Sequence, residues 1–207
     1  MTAPEVERLG PRLREEREKR GVSLRGLARE VGVSASMISQ IETGKVQPSV
    51  STLYAITTTL GISVEALFTA AGDDARGVDG DSPWGKVAEL RGQRLGPLVP
   101  PAQRRVLQLD SGVTWELLGE LPQHTVDFLL VTYAPGSTSS SGGGLMRHPG
   151  SEYGHLLTGE LRLTLGFEEL VLTPGDSISF DSTTPHSYRN EGSEPAVGVW
   201  FVIERGH

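Results

Sequence analysis

The chain has 207 residues, 37% of them hydrophobic, with no cysteine and a formal net charge of −7 at neutral pH. This composition is that of a globular protein long enough for two small domains, and it excludes a disulfide framework. It has no run of about eighteen apolar residues and no apolar stretch at the N-terminus, so neither a membrane-spanning helix nor a secretory signal is expected, and the cytoplasm is the expected location.

The charge is uneven along the chain. Residues 1–70 carry nine Lys or Arg against eight Asp or Glu, and the remainder carries ten against eighteen. The acidity therefore belongs to the second part, and a locally basic face including Arg25, Arg29 and Lys45 is left in the first.

In chain order, residues 1–7 read as a frayed tail. A charged helix follows over 9–20, with Leu9 and Leu13 on its buried side and Gly21 closing it. Ser23 is placed to cap the next helix, whose apolar face is Leu24, Leu27, Ala28 and Val31. After Gly32 and Val33, Ser34 caps a further short helix over residues 34–42, with Met37, Ile38 and Ile41 at the spacing of one helical face. A glycine between the two takes the positive φ of a helix end. Two short amphipathic helices joined in this way form a helix-turn-helix.

Residues 44–49 read as a loop, and Pro48 with Ser49 opens a helix with Leu53, Ile56 and Leu60 inside. Gly61 stops it, and residues 62–68 read as a last short helix capped by Ser63. The stretch TAAGDDARGVDGDSPWG is acidic, Gly-rich and aperiodic, and reads as a linker.

Segment 13–68, with LREEREKRGVSLRGLA, GVSASMISQIETGKVQPSVSTL and LGISVEALF, resembles the DNA-binding domain of the Xre and phage-repressor family. The resemblance implies a five-helix bundle whose third helix lies in the major groove. Ala35, Ser36, Ser39 and Gln40, with Ser34 at its start, would then meet base edges. Gln40 suits a bidentate pair with adenine and Ala35 a thymine methyl, while Arg25 and Lys45 would meet phosphates.

Beyond the linker the period changes to two. Leu161, Leu163 and Leu165 alternate with Arg162 and Thr164, and RVLQLD, VTWELL, DFLLVTY, ELVL, SISF and VGVWFVI are similar short strands. Two blocks, GLMRHPGSEYGHLLTG and PGDSISFDSTTPHSYRN, resemble the cupin family, which implies a double-stranded β-helix, or jelly-roll barrel, that commonly pairs through its strands. Cupins hold a metal with two histidines and a glutamate from the first block and a histidine from the second. Here His148, Glu152 and His186 occupy three of those positions and Met146 the fourth. A thioether is a poor ligand for the hard or borderline metals concerned, and what survives is the composition of a facial triad for zinc, iron, nickel or manganese. The same trio also suits a metal-free polar floor of a ligand pocket. His155 has the opposite strand parity from Glu152 and belongs on the outer face. His124 and His207 read as solvated, and Tyr153, Tyr188 and Trp200 as packing. Asp176 reads as a turn residue, and STSSSGGG, residues 137–144, as a flexible rim.

The expected architecture is thus an α domain plus an all-β domain: residues 1–70 a helix-turn-helix head, 71–85 a linker, and 86–207 a cupin that binds a small effector and forms a homodimer. The expected function is sequence-specific transcriptional regulation at a palindromic operator, without enzymatic activity. The alternative, implied by resemblance to a non-haem iron epoxidase of hydroxyalkylphosphonates, rests on the same spacing of His148, Glu152 and His186. Against it, the chain keeps a complete DNA-reading pattern and has no basic cluster placed in the barrel to grip a phosphonate.

Overall fold

The helical half is built from α1 (Leu9–Lys19), α2 (Leu24–Val31), α3 (Ala35–Glu42) and α4 (Val50–Leu60). In the computed structural model, residues 9–64, 67–68, 98–119 and 126–203 are described; the expected tail and linker, His124 and His207 lie outside them. The side chains of Ser23, Ser34 and Ser49 accept the backbone N–H groups of Gly26, Met37 and Thr52 at 3.0, 3.1 and 3.2 Å. Each such cap stabilises its helix by about 1 kcal/mol. Gly32 and Gly61 end α2 and α4 in the left-handed region, at φ 80° and 62°. These local signals place every helix boundary that matters for the site.

Leu13, Leu27, Ile38, Ile41, Leu53 and Ile56 meet in the core of this half. Gly10 lets α1 cross α3 closely, because a Cβ there would fall on the carbonyl oxygens of Ile41 and Glu42. Across the same crossing, Arg17 donates to both carboxylate oxygens of Glu42, at 2.6 and 2.9 Å, and to the Val22 carbonyl at 2.9 Å.

Four α-helices are present among the described residues, not five. Over 62–68 the described residues contain no α-helix, and the Leu67 N–H bonds the Val64 carbonyl at 2.9 Å. A segment this short gains too few hydrogen bonds to offset helix nucleation. What fixes it is burial of Val64, Leu67 and Phe68 against the other helices.

The second half contains β1 (Val106–Gln108), β2 (Val113–Gly119), β3 (Val126–Tyr133), β4 (Ser151–Thr158), β5 (Leu161–Leu165), β6 (Glu168–Leu172), β7 (Ser177–Asp181), β8 (His186–Arg189) and β9 (Ala196–Ile203). All pair antiparallel. They form a six-stranded sheet in the order β1-β2-β3-β9-β4-β7 and a three-stranded sheet in the order β6-β5-β8. This is an open arrangement, and the expectation of a closed jelly-roll barrel is corrected accordingly. The stretch that would complete a barrel, residues 137–148, makes only the isolated bridges Thr138↔Arg189 and Met146↔His186. Its run of serines and glycines supplies little side-chain surface to hold a ladder, and Pro149 and Gly150 turn the chain before β4.

That run is not a flexible rim throughout. Ser137, Ser139 and Ser140 are buried. Ser139 exchanges backbone and side-chain hydrogen bonds with Tyr188, its N–H reaching the Tyr188 carbonyl and its hydroxyl accepting the Tyr188 N–H, both at 2.9 Å. Its carbonyl accepts Ser51 N–H at 2.9 Å, which docks the start of α4 onto the β half, and Asp110 N–H bonds the Pro48 carbonyl at 2.9 Å beside it.

Candidate metal centre and nucleic-acid interface

On α3 the exposed side carries Ser36 and Gln40, with Ala35 and Ser39 half-buried beside them. The Ser34 hydroxyl is engaged as the cap. Met37, expected inside with Ile38 and Ile41, is 40% exposed and joins the outer face. In a helix of eight residues the apolar spacing fits two rotations about the axis, and the packed core selects the one that buries Ile38 and Ile41. Among the described residues, Arg25 and Lys45 are exposed and make no ion pair. By contrast, Arg12, Arg14, Lys19 and Arg20 of the first helical segment are paired with Glu15, Glu16 and Glu18. Cations with no carboxylate partner flanking an exposed polar helix suit phosphates on either side of a groove.

The β half gathers His148, Glu152 and His186, whose donor atoms lie within 4.8 Å of one another. All three are buried. Glu152 is on β4 at an inward position opposite Val202 of β9 and Phe180 of β7, and His186 opens β8. His148 lies in the irregular approach to β4, held by its N–H to the Ser182 carbonyl at 3.1 Å.

Glu152 Oε1 is the shared focus. His148 Nε2 stands 2.8 Å from it and His186 Nε2 2.9 Å. His186 Nδ1 faces the Thr184 carbonyl at 2.8 Å, and only an N–H can face a carbonyl oxygen. In the neutral ring, Nε2 then directs a lone pair at a carboxylate oxygen. Consistent with that, Nε2 makes no hydrogen bond among the described residues, nor does His148 Nδ1. A cation held by the two imidazoles and the carboxylate would resolve the opposition. Burial alone would raise the Glu152 carboxyl; imidazoles that donate a proton to it outweigh burial and hold it down at about 2.

The other carboxylate oxygen is fixed from behind. Tyr188 O–H donates to Glu152 Oε2 at 2.8 Å, and Trp200 N–H donates to the Tyr188 oxygen at 3.3 Å. Burial and the facing carboxylate push the Tyr188 phenol well above its usual range, so it remains a donor. Tyr188 and Trp200, read from sequence as packing, thus orient the ligand carboxylate. Tyr188 shares strand parity with His186, which was the available signal. Trp200 lies across two glycines, and a Cβ on Gly154 would come within 2.7 Å of its ring.

His148, Glu152 and His186 could together hold a divalent metal. A bound metal would supply Lewis acidity with positions open to a ligand. Met146 is buried nearby, its N–H bonding the His186 carbonyl at 2.8 Å. This geometry corrects the expectation of a chain without enzymatic capacity, since a buried two-histidine, one-carboxylate donor set is chemically competent for metal-assisted catalysis. His155 is exposed on the outer face, with Nδ1 2.9 Å from the Ser177 hydroxyl, as its parity predicts. Asp176 accepts the N–H and hydroxyl of Thr173 at 2.7 and 2.9 Å and is architectural.

A helix-turn-helix joined to a β domain with a buried cluster that could hold a metal is the architecture of a DNA-binding regulator with a sensing domain. Residues 13–67 match the Helix-turn-helix family and residues 129–202 the Cupin domain family. The chain is 31% identical over 196 residues to the HTH-type transcriptional regulator PuuR of Escherichia coli (strain K12), covering 94% of this chain and 91% of that one. It is 26% identical to the HTH-type transcriptional regulator SutR of the same organism, covering 90% and 89%. Its fold is similar to that of an HTH_3 family transcriptional regulator from Vibrio cholerae, at a TM-score of 0.64 and 24% identity over 96% of each chain. The chain belongs to the family of HTH-type transcriptional regulators that carry a C-terminal cupin domain, and it is a DNA-binding regulator with a ligand-sensing cupin.

Proposed function

We propose that this regulator reads a palindromic operator as a homodimer in the cytoplasm, with residues 1–70 as the DNA-reading head, 71–85 as the link and 86–207 as the sensing and pairing domain. Ala35, Ser36, Ser39 and Gln40 read bases, Ser34 sets the helix start, and Arg25 and Lys45 hold phosphates. His148, Glu152 and His186, with Met146 beside them, form the floor of the effector site.

The observation that carries this reading is the exposed Ser36 and Gln40 face of a capped α3, flanked by Arg25 and Lys45. Two such heads related by a two-fold axis match half-sites about one helical turn apart. Among the described residues no helix is long and apolar enough to cross a membrane.

The test is selection of duplexes from a random pool by the full-length protein at near-physiological salt, where phosphate contacts alone do not carry the result. Enrichment of a palindrome is expected. Failure to enrich any motif, with and without added zinc or iron, would overturn the reading.

A further inference from the structure

The wall of the metal centre comes from both halves of the chain. Tyr54, on α4 of the helical half, is only 4% exposed, and its ring stacks on His148 with centroids 3.9 Å apart and planes 6° from parallel. It also tilts against Trp115 of β2 at 5.7 Å. Val50, one turn earlier, is buried beside it. Val50, Tyr54, Trp115, Met146 and Glu152 line one cavity, of about 20 Å³. That is room for a water molecule, not for an organic effector. The same wall contains the indole N–H of Trp115, buried and without a hydrogen-bond partner among the described residues.

We propose that the effector site is composite, that Tyr54 and Val50 form its lid, and that its occupant is a small planar molecule with adjacent oxygen donors, which takes the place of the Tyr54 ring. This deepens the sensing role proposed above and rests on it. Oxygen donors suit both the open positions of a metal at the cluster and the unpaired Trp115 N–H. A flat molecule suits a slot now filled by one ring stacked on another. Because the cavity is too small for it while Tyr54 is in place, the occupant enters only when α4 withdraws, so occupancy and docking of the DNA-reading half exclude one another. Such a linkage is reciprocal: whatever favours the docked head weakens the effector, and the effector loosens the head. α4 follows directly on the loop after α3, so its withdrawal changes how the reading helix is carried.

The probe is 4-nitrocatechol, a planar chromophoric oxygen chelator, added to the full-length protein loaded with cobalt(II) and followed by absorbance. In the parent protein and in Tyr54→Phe, which keeps the ring, the binding rate levels off with rising probe because opening limits it. In Tyr54→Ala the rate stays proportional to probe and affinity rises about tenfold or more, as expected when a closed state no longer competes. Equal rates and affinities in the parent protein and Tyr54→Ala, or no binding to either, overturn the proposal.

A second measurement needs no metal. The sequence has no cysteine, so Val50→Cys reports the seam through its reaction with a thiol reagent. Labelling is slow in that variant and about tenfold faster with Tyr54→Ala added, or with Trp115→Ala, which removes the opposing wall and leaves α4 intact. An unchanged rate in both combinations overturns the lid. Duplex selection is independent of these readouts: loss of operator enrichment with gating intact removes the regulator reading and leaves the lid standing.

Discussion

Arg17 grips both oxygens of the Glu42 carboxylate, at 2.6 and 2.9 Å, and so ties the first helix to the last residue of α3. Both side chains are buried. Arg17→Met alone leaves a buried carboxylate without its partner and is expected to destabilise the fold by about 3–5 kcal/mol, whereas Arg17→Met with Glu42→Leu recovers most of that loss. Denaturant unfolding of the two variants checks the pair. A single-variant cost under about 1 kcal/mol would mean the contact is no better than a surface ion pair.

Base reading and phosphate holding separate by mutation. Gln40→Ala should lower affinity for the selected operator by about 1–3 kcal/mol while leaving random duplexes unaffected. Lys45→Ala should weaken both alike and reduce the salt slope by about 1. Fluorescence titrations at several salt concentrations distinguish them, and equal loss on both duplexes from both changes would reverse the assignment.

The metal centre depends on its supporting donor. Tyr188→Phe removes the hydrogen bond to Glu152 Oε2 while keeping the ring, and metal affinity should fall about 10–100-fold. Glu152 is held at about 2, so its carboxylate stays ionised and available as a ligand until the pH falls towards that value. Glu152→Gln, which removes that charge, should weaken zinc binding in titrations at neutral pH. Removing the metal with a chelator should lower the melting temperature, since a group bound only by the folded state stabilises it.

Gly154→Ala places a methyl group against the Trp200 ring, which overlies that glycine. The expected cost is about 1–3 kcal/mol of stability from overpacking. Metal affinity should fall with it, because Trp200 holds Tyr188 in place. Calorimetry with zinc reads the second effect separately. Unaltered metal binding in a destabilised variant would confine Trp200 to packing.

The helical half was legible because its signals are local. Ser23, Ser34 and Ser49 cap, Gly32 and Gly61 terminate, and each acts within a few residues of its partner. The metal donors were legible through the resemblance of two sequence blocks to cupins. What the sequence hid were relationships across distance: Arg17 with Glu42, Tyr54 with His148, Ser51 with Ser139. Apart from His148, each partner alone reads as an ordinary surface or core residue, and only folding brings the pairs together. Met37 was misplaced because two helical turns do not define a unique apolar stripe, and the open sheet was missed because strand patterns give parity and not closure.

The shared wall between Tyr54 and Trp115 also bears on modularity. A head of this kind does not transplant freely onto another sensor. A chimera that joins residues 1–70 to a foreign cupin leaves Tyr54 and Val50 with nothing to rest on, and its DNA binding would be constitutive with respect to any ligand of the new half. Exchange succeeds only when the lid and the pocket it closes travel together, so in this architecture the unit of recombination is the seam, not the domain.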